Sequence, residues 1–516
     1  MLPNERSLDL YEQIPGYIQA APIPIPEINT ATIEKKLDLK LNRLTRLLVT
    51  MALYGTGFKS FSKNIPEKLE QLQRKVNLRG PMLFAPVVSA TLALKDDSRI
   101  RSMIDRAITL ALGAYDLYQA VWSAQLSPDY VKGDICEMGQ YPNFFSTSIT
   151  FENNRPRIFK SSKINQLTVI AANRIFILEI TDWESTSIQS QLRSGLNRIL
   201  EQVRVSQRQD EFHTPAMLTA ANDITQYQGF REIIKNPLNA ASLEALRHSF
   251  FTLCFDIDEM PKTYADAIYR AHRLNFANRW NHSSYQLVVF KNFKACAICN
   301  FSTYLDGNTM VHGIAEIQKR ASTKIIDIPD RSIRATPAIK ELGWNFEKSI
   351  VESAQNSIHS ILDDQKATFT IRGIGEHFFK CHGCKAVPAF VIALQTAVKR
   401  LTGEIIPITQ FLSISKYRCM DLTTCGVTTE EMQQFINYFD AVNFDNRALD
   451  LFHKAIQSQI KKMQDARKSM PIDDLISYYI QSRKKIKRLY VVICFGLLFR
   501  ILRKAGALKS MRRNIV

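Results

Sequence analysis

The chain has 516 residues, 46% of them apolar, so it can bury a substantial core and by length should divide into two or more domains. Nine cysteines, an odd number and an ordinary one for this length, argue against a secreted disulfide scaffold and for a reduced, cytoplasmic setting. The formal charge of +18 is unevenly placed: residues 483–516 hold 11 Lys or Arg and no acid, and +18 minus 11 leaves +7 for residues 1–482, a mildly basic body for which nucleic acid is a disfavoured partner.

In chain order, the first 30 residues contain acidic groups and five prolines and lack a basic start followed by an apolar run, so no secretory or mitochondrial leader is expected. The prolines of Ala21–Pro26 forbid a regular helix, because each removes a donor and restricts the residue before it. They read as an extended strap, followed from Asn29 by a helix reaching into the forties. Leu94–Ala114 and Tyr118–Ala124 carry helix-like apolar spacing, whereas Leu167–Ala172 and Arg174–Ile180 are strand-like with Asn173 at the turn of a hairpin.

Ala221–Asp256 reads as mostly helical and ends in the apolar run Phe250–Phe255. Strands are expected at Tyr285–Val289 and Lys294–Phe301, after which Asp306-Gly307 turns the chain into a helix from about Thr309 to Arg320. Pro337–Trp344 marks a crossover and Glu347–Leu362 a long helix. Phe369–Ile371, the Gly373 and Gly375 turn and a helix over Pro388–Leu401 complete a strand, loop and helix unit. With no repeat or long low-complexity segment, the body is expected to be α/β with mixed sheets.

The tail places Leu489–Phe499, eleven largely apolar positions, between the basic clusters Arg483–Arg488 and Arg500–Lys504. That is short of the about 20 residues a helix needs to cross a bilayer. A basic amphipathic helix lying on an anionic membrane face, a final helix packed on the body, and contact with RNA or another acidic partner all remain open.

The most informative stretch is Asn278-Arg279-Trp280 followed by Asn300-Phe301-Ser302-Thr303-Tyr304-Leu305-Asp306-Gly307. It resembles the centre of the choline/carnitine acyltransferase family, where a strand ending in Asn-Phe/Tyr-Glu-His-Ser and a following Asp-Gly present a histidine to the substrate hydroxyl. Further blocks occur in the family's order: Ala21–Thr32, Met138-Gly139-Gln140-Tyr141 to Phe145-Ser146, the hairpin Leu167–Ile180, Leu218-Thr219 with Asp223, Ser242-Leu243 through Cys254-Phe255-Asp256, Trp344, and Ala393-Leu394-Gln395. The resemblance covers roughly residues 15–440 and implies two similar chloramphenicol-acetyltransferase-like α/β domains with mixed sheets around a central tunnel. One would combine residues 1–70 with 345–475, the other would be residues 71–344, and the basic C-terminal helical tail, 483–516, would be an appendage. Acyl-coenzyme A and a hydroxylated acceptor would enter the tunnel from opposite ends.

Transfer of an acyl group from a thioester to an alcohol needs a base near the acceptor oxygen and donors around the tetrahedral oxyanion. Histidine suits the first task. By resemblance its position falls on Ser302, or on Thr303 if one residue is deleted, and neither hydroxyl is such a base. Among nine histidines, His312 on the helix after Asp306-Gly307 is the alternative base, set against an ordinary helix residue. His272 resembles a structural histidine of the family, and His377 and His382 lie in the coenzyme loop. In that loop Lys380 and Lys385 are the candidate contacts to a coenzyme A phosphate, while Glu376 reverses the charge of the family's first lysine. The family's Ser-Thr-Arg block corresponds best to Ser415-Lys416-Tyr417 with Arg418 next, so the donor serine is kept and the Thr-Arg pair is not. Asp306 is read as structural, capping the following helix or holding the hairpin.

Cys296 and Cys299 fall three apart in a strand and face opposite ways, a poor chelating pair, whereas Cys381 and Cys384 flank His382 in a loop. Buried or incidental thiols are the plain explanation, set against a zinc or redox site and a cysteine nucleophile, and no metal is assigned. Because base, phosphate and acceptor subsites depart together, the first functional expectation is a non-catalytic or repurposed acyltransferase-fold protein, a binding or scaffold module for a protein partner the residues do not name. The second is a divergent O-acyltransferase using acyl-coenzyme A as co-substrate, with Lys380, Ser415 and a residue between Ser302 and Asp306 as its altered centre. An unrelated activity in the same cleft is the third. None requires a cofactor, and in each the tail suggests a peripheral place on a membrane.

Overall fold

In the computed structural model, Pro24 and residues 89–469 are described, apart from 132, 153–154, 206–212, 304, 327–336, 363–370, 372, 418–421 and 442–444. The helix expected from Asn29, nearly all of the strap at Ala21–Pro26, most of the strand expected at Phe369–Ile371, and the basic tail lie outside these residues. The described residues of 79–129 and 138–368 form one compact unit and those of 130–137 and 369–516 a second.

Strand β1 (Ser89–Leu94) is followed by two hairpins, β2 (Tyr130–Val131) with β3 (Asp134–Ile135) and β4 (Thr147–Glu152) with β5 (Arg155–Lys160). Strands β6 (Gln166–Ala171), β7 (Arg174–Glu179), β8 (Thr252–Asp256), β9 (Tyr285–Phe290), β10 (Ala295–Asn300) and β11 (Ile339–Glu341) join β1 in a seven-stranded sheet, ordered β1-β10-β9-β8-β6-β7-β11. It is mixed: β8 runs parallel to β6 and β9, and the other pairs are antiparallel. The expected β6–β7 hairpin turns through Ala172 and Asn173, both at positive φ (48° and 61°), the twist-matched geometry for a two-residue loop.

Side-chain alternation sends the two faces of this sheet into separate cores. Leu253, Phe255, Leu287, Val289, Ala297 and Cys299 face a layer made by α1 (Met103–Trp122), α2 (Ile188–Val205) and α6 (Gly307–Thr323). Cys254, Val288, Cys296 and Ile298 face a layer of α3 (Asp223–Ile233), α4 (Pro237–Arg247), α5 (Tyr264–Arg273) and α7 (Lys348–Leu362). Cys296 and Cys299 are thus on opposite faces, as the strand reading requires. Helices α1 and α6 approach closely at Gly113, where a Cβ would stand 2.4 Å from the Ile317 carbonyl oxygen. The second unit holds α8 (Glu376–Cys381), α9 (Ala386–Thr402), the hairpin β12 (Thr409–Ser413) with β13 (Leu422–Gly426), α10 (Glu430–Ala441) and α11 (Asn446–Ala466) around a core that includes Ile392, Leu412, Val427 and Ile436.

Two expectations are corrected and a third is extended. Leu94 ends a strand; the helix starts at Met103, capped by Ser102, whose hydroxyl accepts from Asp105 N at 3.0 Å, and runs unbroken to Trp122. The run Phe250–Phe255 belongs to strand β8, buried on both faces, so its apolar sequence carries no period that separates strand from helix. The crossover after Pro337 contains β11, which pairs with β7 and lends Glu341 to an ion pair with Arg174.

The Asn278-Arg279-Trp280 motif locks the first unit. Arg279 is buried and grips both oxygens of Asp256, at 2.8 and 2.7 Å, while its Nε donates to Ala271 O at the end of α5. Asn278 donates to Phe255 O and Asp256 and accepts from Asn173 N in the β6–β7 turn. Burial pushes the Asp256 carboxyl toward neutrality, but the Arg279 charge and hydrogen bonds outweigh it and leave the pKa below the usual value. Arg279→Ala would strand that carboxylate without its counter-ion, and urea unfolding should show a loss of about 3–5 kcal/mol.

His282 is 3% exposed, with Nε2 2.8 Å from Gln226 Oε1, and burial drives its pKa down to about 3. As pH falls, the unfolded chain therefore takes up this proton first. The stability His282 supplies is complete above its unfolded pKa of about 6.5 and drains away toward about 3. Urea midpoints should fall between pH 7 and 4, with a shallower slope in His282→Gln.

Candidate active site

Strand β10 ends at Asn300, whose side-chain amide donates to Asn281 O at 2.6 Å. The chain then makes a short turn, Phe301–Thr303, before Asp306 starts α6. Thr303 is fully buried and its hydroxyl donates to Asn300 O at 2.8 Å, so it holds the turn closed. The side chain of Ser302 and all of Tyr304 lie outside the described residues. Asp306 occupies the N-cap position, but the side-chain cap expected there does not form; its carbonyl accepts from Met310 N at 2.8 Å and its N–H donates to Gln140 Oε1 at 2.6 Å.

His312 stands six residues further along α6, about 9 Å of helix rise from Asp306. Its Nδ1 is 3.0 Å from Asp129 Oδ2, an ion-pair distance although the N–H is out of line for a hydrogen bond. The Tyr141 hydroxyl donates to the same Asp129 oxygen at 2.5 Å. Gln140 and Tyr141 are neighbours, so one short segment reaches both the Asp306 turn and the His312–Asp129 pair. Lys160 secures the chain just beyond: its ammonium, on a partly buried side chain, donates to the carbonyls of Pro142 and Phe145 and to Thr147 Oγ1. Burial lowers its pKa to about 7. With 38% of its side chain exposed, His312 combines access for a ligand with a carboxylate beside one ring nitrogen, the arrangement of an oriented general base.

The sequence singled out His312 but neither Asp129 nor Lys160. Tyr141 and Gln140 lay inside a recognised block without an assigned role. Asp129 sits in a loop with no local pattern, and its partners Tyr141 and His312 reach it from two separate segments.

The second unit carries the other expected residues. Lys380 and Glu376 are one turn apart on α8 and pair at 2.8 Å, so the carboxylate expected to repel a phosphate is instead joined to the nearby lysine; both are exposed. Lys385, also exposed, stands at the N-cap of α9. Ser415 is buried; its hydroxyl lies 2.9 Å from Ser413 Oγ and donates to Cys136 Sγ at 3.6 Å. Lys416 pairs with Asp134 at 2.9 Å. Cys381 is exposed and Cys384 buried, and among the described residues no group of three or more His, Cys, Asp or Glu is arranged to hold a metal. Nor is any described helix long and apolar enough to cross a membrane.

Helix α6, packed on a mixed α/β sheet, thus carries a histidine paired with a carboxylate from a preceding loop. The profile of the choline/carnitine O-acyltransferases matches residues 75–485, and the chain belongs to that family. It is 23% identical over 385 residues to the choline O-acetyltransferase of Mus musculus, covering 69% of this chain and 59% of that protein. To the carnitine O-acetyltransferase of Homo sapiens it is 21% identical over 400 residues, covering 74% and 63% respectively. The chain therefore spans about three fifths of the length of these relatives.

Gln140→Ala removes the acceptor from the Asp306 N–H, a cost of about 1–3 kcal/mol for a buried donor. Amide hydrogen exchange at Asp306 and the first turn of α6 should accelerate while exchange in β8 and β9 stays slow.

Proposed function

We propose that this chain is a divergent O-acyltransferase that moves an acyl group from acyl-coenzyme A to a hydroxylated acceptor, with His312 as the base. The observation that carries this reading is the Tyr141–Asp129–His312 series, a carboxylate oriented by a phenol and set beside an accessible imidazole. In this mechanism His312 Nε2 takes the acceptor's hydroxyl proton as the oxygen attacks the thioester carbonyl. The imidazolium, balanced by Asp129, returns the proton to the departing coenzyme A thiolate as the C–S bond breaks. The loose alignment of His312 and Asp129 is usual for such a pair before a substrate is bound. Ser415 is kept from the resemblance as the oxyanion donor, and Lys385 at the start of α9, with Lys380, as contacts for the coenzyme's phosphates.

On this reading Ser302 and Thr303 stand where the family places its histidine, and the base has migrated along α6. A two-domain organisation belongs to the same proposal, with α7 kept in the first body because it packs on that unit's sheet. So do a cytoplasmic location and peripheral membrane contact through the basic residues 483–516.

The test is acceptor-dependent release of coenzyme A thiol by the full chain, supplied with short- and long-chain acyl-coenzyme A and with choline, carnitine and other alcohols. His312→Ala should lower the rate by about 10²–10⁴-fold, the usual worth of a positioned base, and leave the thermal shift caused by coenzyme A intact. Lys385→Glu should do the reverse, weakening that shift. Saturable acyl-coenzyme A binding with no acceptor-dependent turnover would instead establish the non-catalytic binding module, and a rate indifferent to His312→Ala would remove that residue as the base.

A further inference from the structure

A cavity of about 220 Å³ opens in the first unit between the β4–β5 hairpin and helices α3 and α4. It belongs to the opposite side of the sheet from the candidate active site: Phe230, Leu246 and Trp280 are in the core under α3, α4 and α7, whereas Leu305 and Met310 are in the core under α1 and α6. Its wall combines aliphatic Ile149, Leu243 and Leu246 with the rings of Phe151, Phe230 and Trp280. Enclosure of that kind favours an apolar ligand body.

The polar groups restrict what such a ligand can be. His282, one of the lining residues, is held through Gln226. Gln226 Nε2 donates to the carbonyls of Thr219 and Ala221, which makes Oε1 the acceptor of the imidazole proton. His282 therefore carries its hydrogen on Nε2 and leaves Nδ1 as a bare acceptor, and burial keeps the ring neutral. A carboxylate would be repelled from that ring, so an anionic head must sit at the other end, toward solvent.

Charge at the mouth agrees. The Glu244 carboxylate is engaged by Arg247 at 2.7 Å and by His248 Nε2 at 3.0 Å, and the neighbouring Glu232 by Lys235. Arg231 is exposed and has no ion pair or hydrogen bond among the described residues, so the uncompensated charge at the rim is positive. A cationic ligand in an aromatic cage is the competing idea, and the rings do not form one. Phe151 stacks on Phe230 at 5.2 Å, Phe230 meets Trp280 edge-on at 6.2 Å, and all three contact His282, so their faces are turned to one another.

We infer that this cavity is a binding site for a small carboxylic acid with an apolar body, its carboxylate on Arg231 and its chain against Phe230, Trp280 and Leu246. At about 30 Å³ per water-sized group, the space suits a body of about seven non-hydrogen atoms, with the head outside.

The full chain should be titrated calorimetrically with octanoate, and in parallel with octanol and octyltrimethylammonium as neutral and cationic counterparts. Octanoate is expected to bind saturably, octanol at least tenfold more weakly and the ammonium not measurably. Arg231→Glu, at an exposed position, should weaken octanoate at least tenfold while urea unfolding confirms that the fold is kept. Ala240→Trp, which fills the cavity from α4, should abolish binding of octanoate and octanol alike. Absence of saturable octanoate binding, equal binding of the cation, or octanoate affinity unchanged by Arg231→Glu would each overturn the assignment. The readout is binding alone, so it is independent of whether the chain transfers acyl groups.

Discussion

The buried pair of Asp256 and Arg279 is the constraint on which the first unit turns. Two charges removed from water are costly unless each finds complete compensation, and here the guanidinium meets both carboxylate oxygens and two backbone carbonyls. Meeting those demands fixes the end of central strand β8 against the end of α5. Asn278, the adjacent residue, ties the same point to the β6–β7 turn. From there the order passes outward: Trp280 N donates to Gln286, Gln286 donates to Asn281, and the Asn281 carbonyl accepts from Asn300. Asn300 is the residue from which the chain leaves the sheet for the Asp306 turn, so a charge pair deep in the fold sets where the candidate site begins.

The sheet separates two kinds of environment. On one face, α1 and α6 pack so closely that a glycine is needed between them, and this holds α6 in the direction that carries His312 to Asp129. His312 is partly exposed there, beside a carboxylate that is mostly covered. On the other face His282 is sealed among aromatic rings and held neutral, which suits it to shape a cavity and not to move protons. Position in the fold, more than residue type, distinguishes these two histidines.

Family membership also gains a physical meaning. The Asn-Arg-Trp block and the Asn at the end of β10 are the residues of the resemblance that carry structural load, and they are intact. The positions that the resemblance aligns with its chemistry, Ser302, Thr303 and Glu376, are in the turn before α6 and on the exposed helix α8.

Much of the architecture was legible from local pattern. Alternation and a turn residue located the β6–β7 hairpin and strands β9 and β10, and apolar spacing located α6, α7 and α9, because these signals depend only on neighbours within a few residues. The motif order was enough to point to the family. Strand β8 was not legible, since burial on both faces erases the period, and neither was the start of α1, which Ser102 decides through one hydroxyl. The candidate site depended most on tertiary structure. Gln140 and Asp306 meet across 166 residues, and the partners of His312 come from a loop without a pattern of its own. Hydrogen bonds and ion pairs between distant segments leave no periodic trace in a single sequence, so the residues that could do chemistry were visible along the chain, while their partnerships arose only when the sheet and helix α6 brought them together.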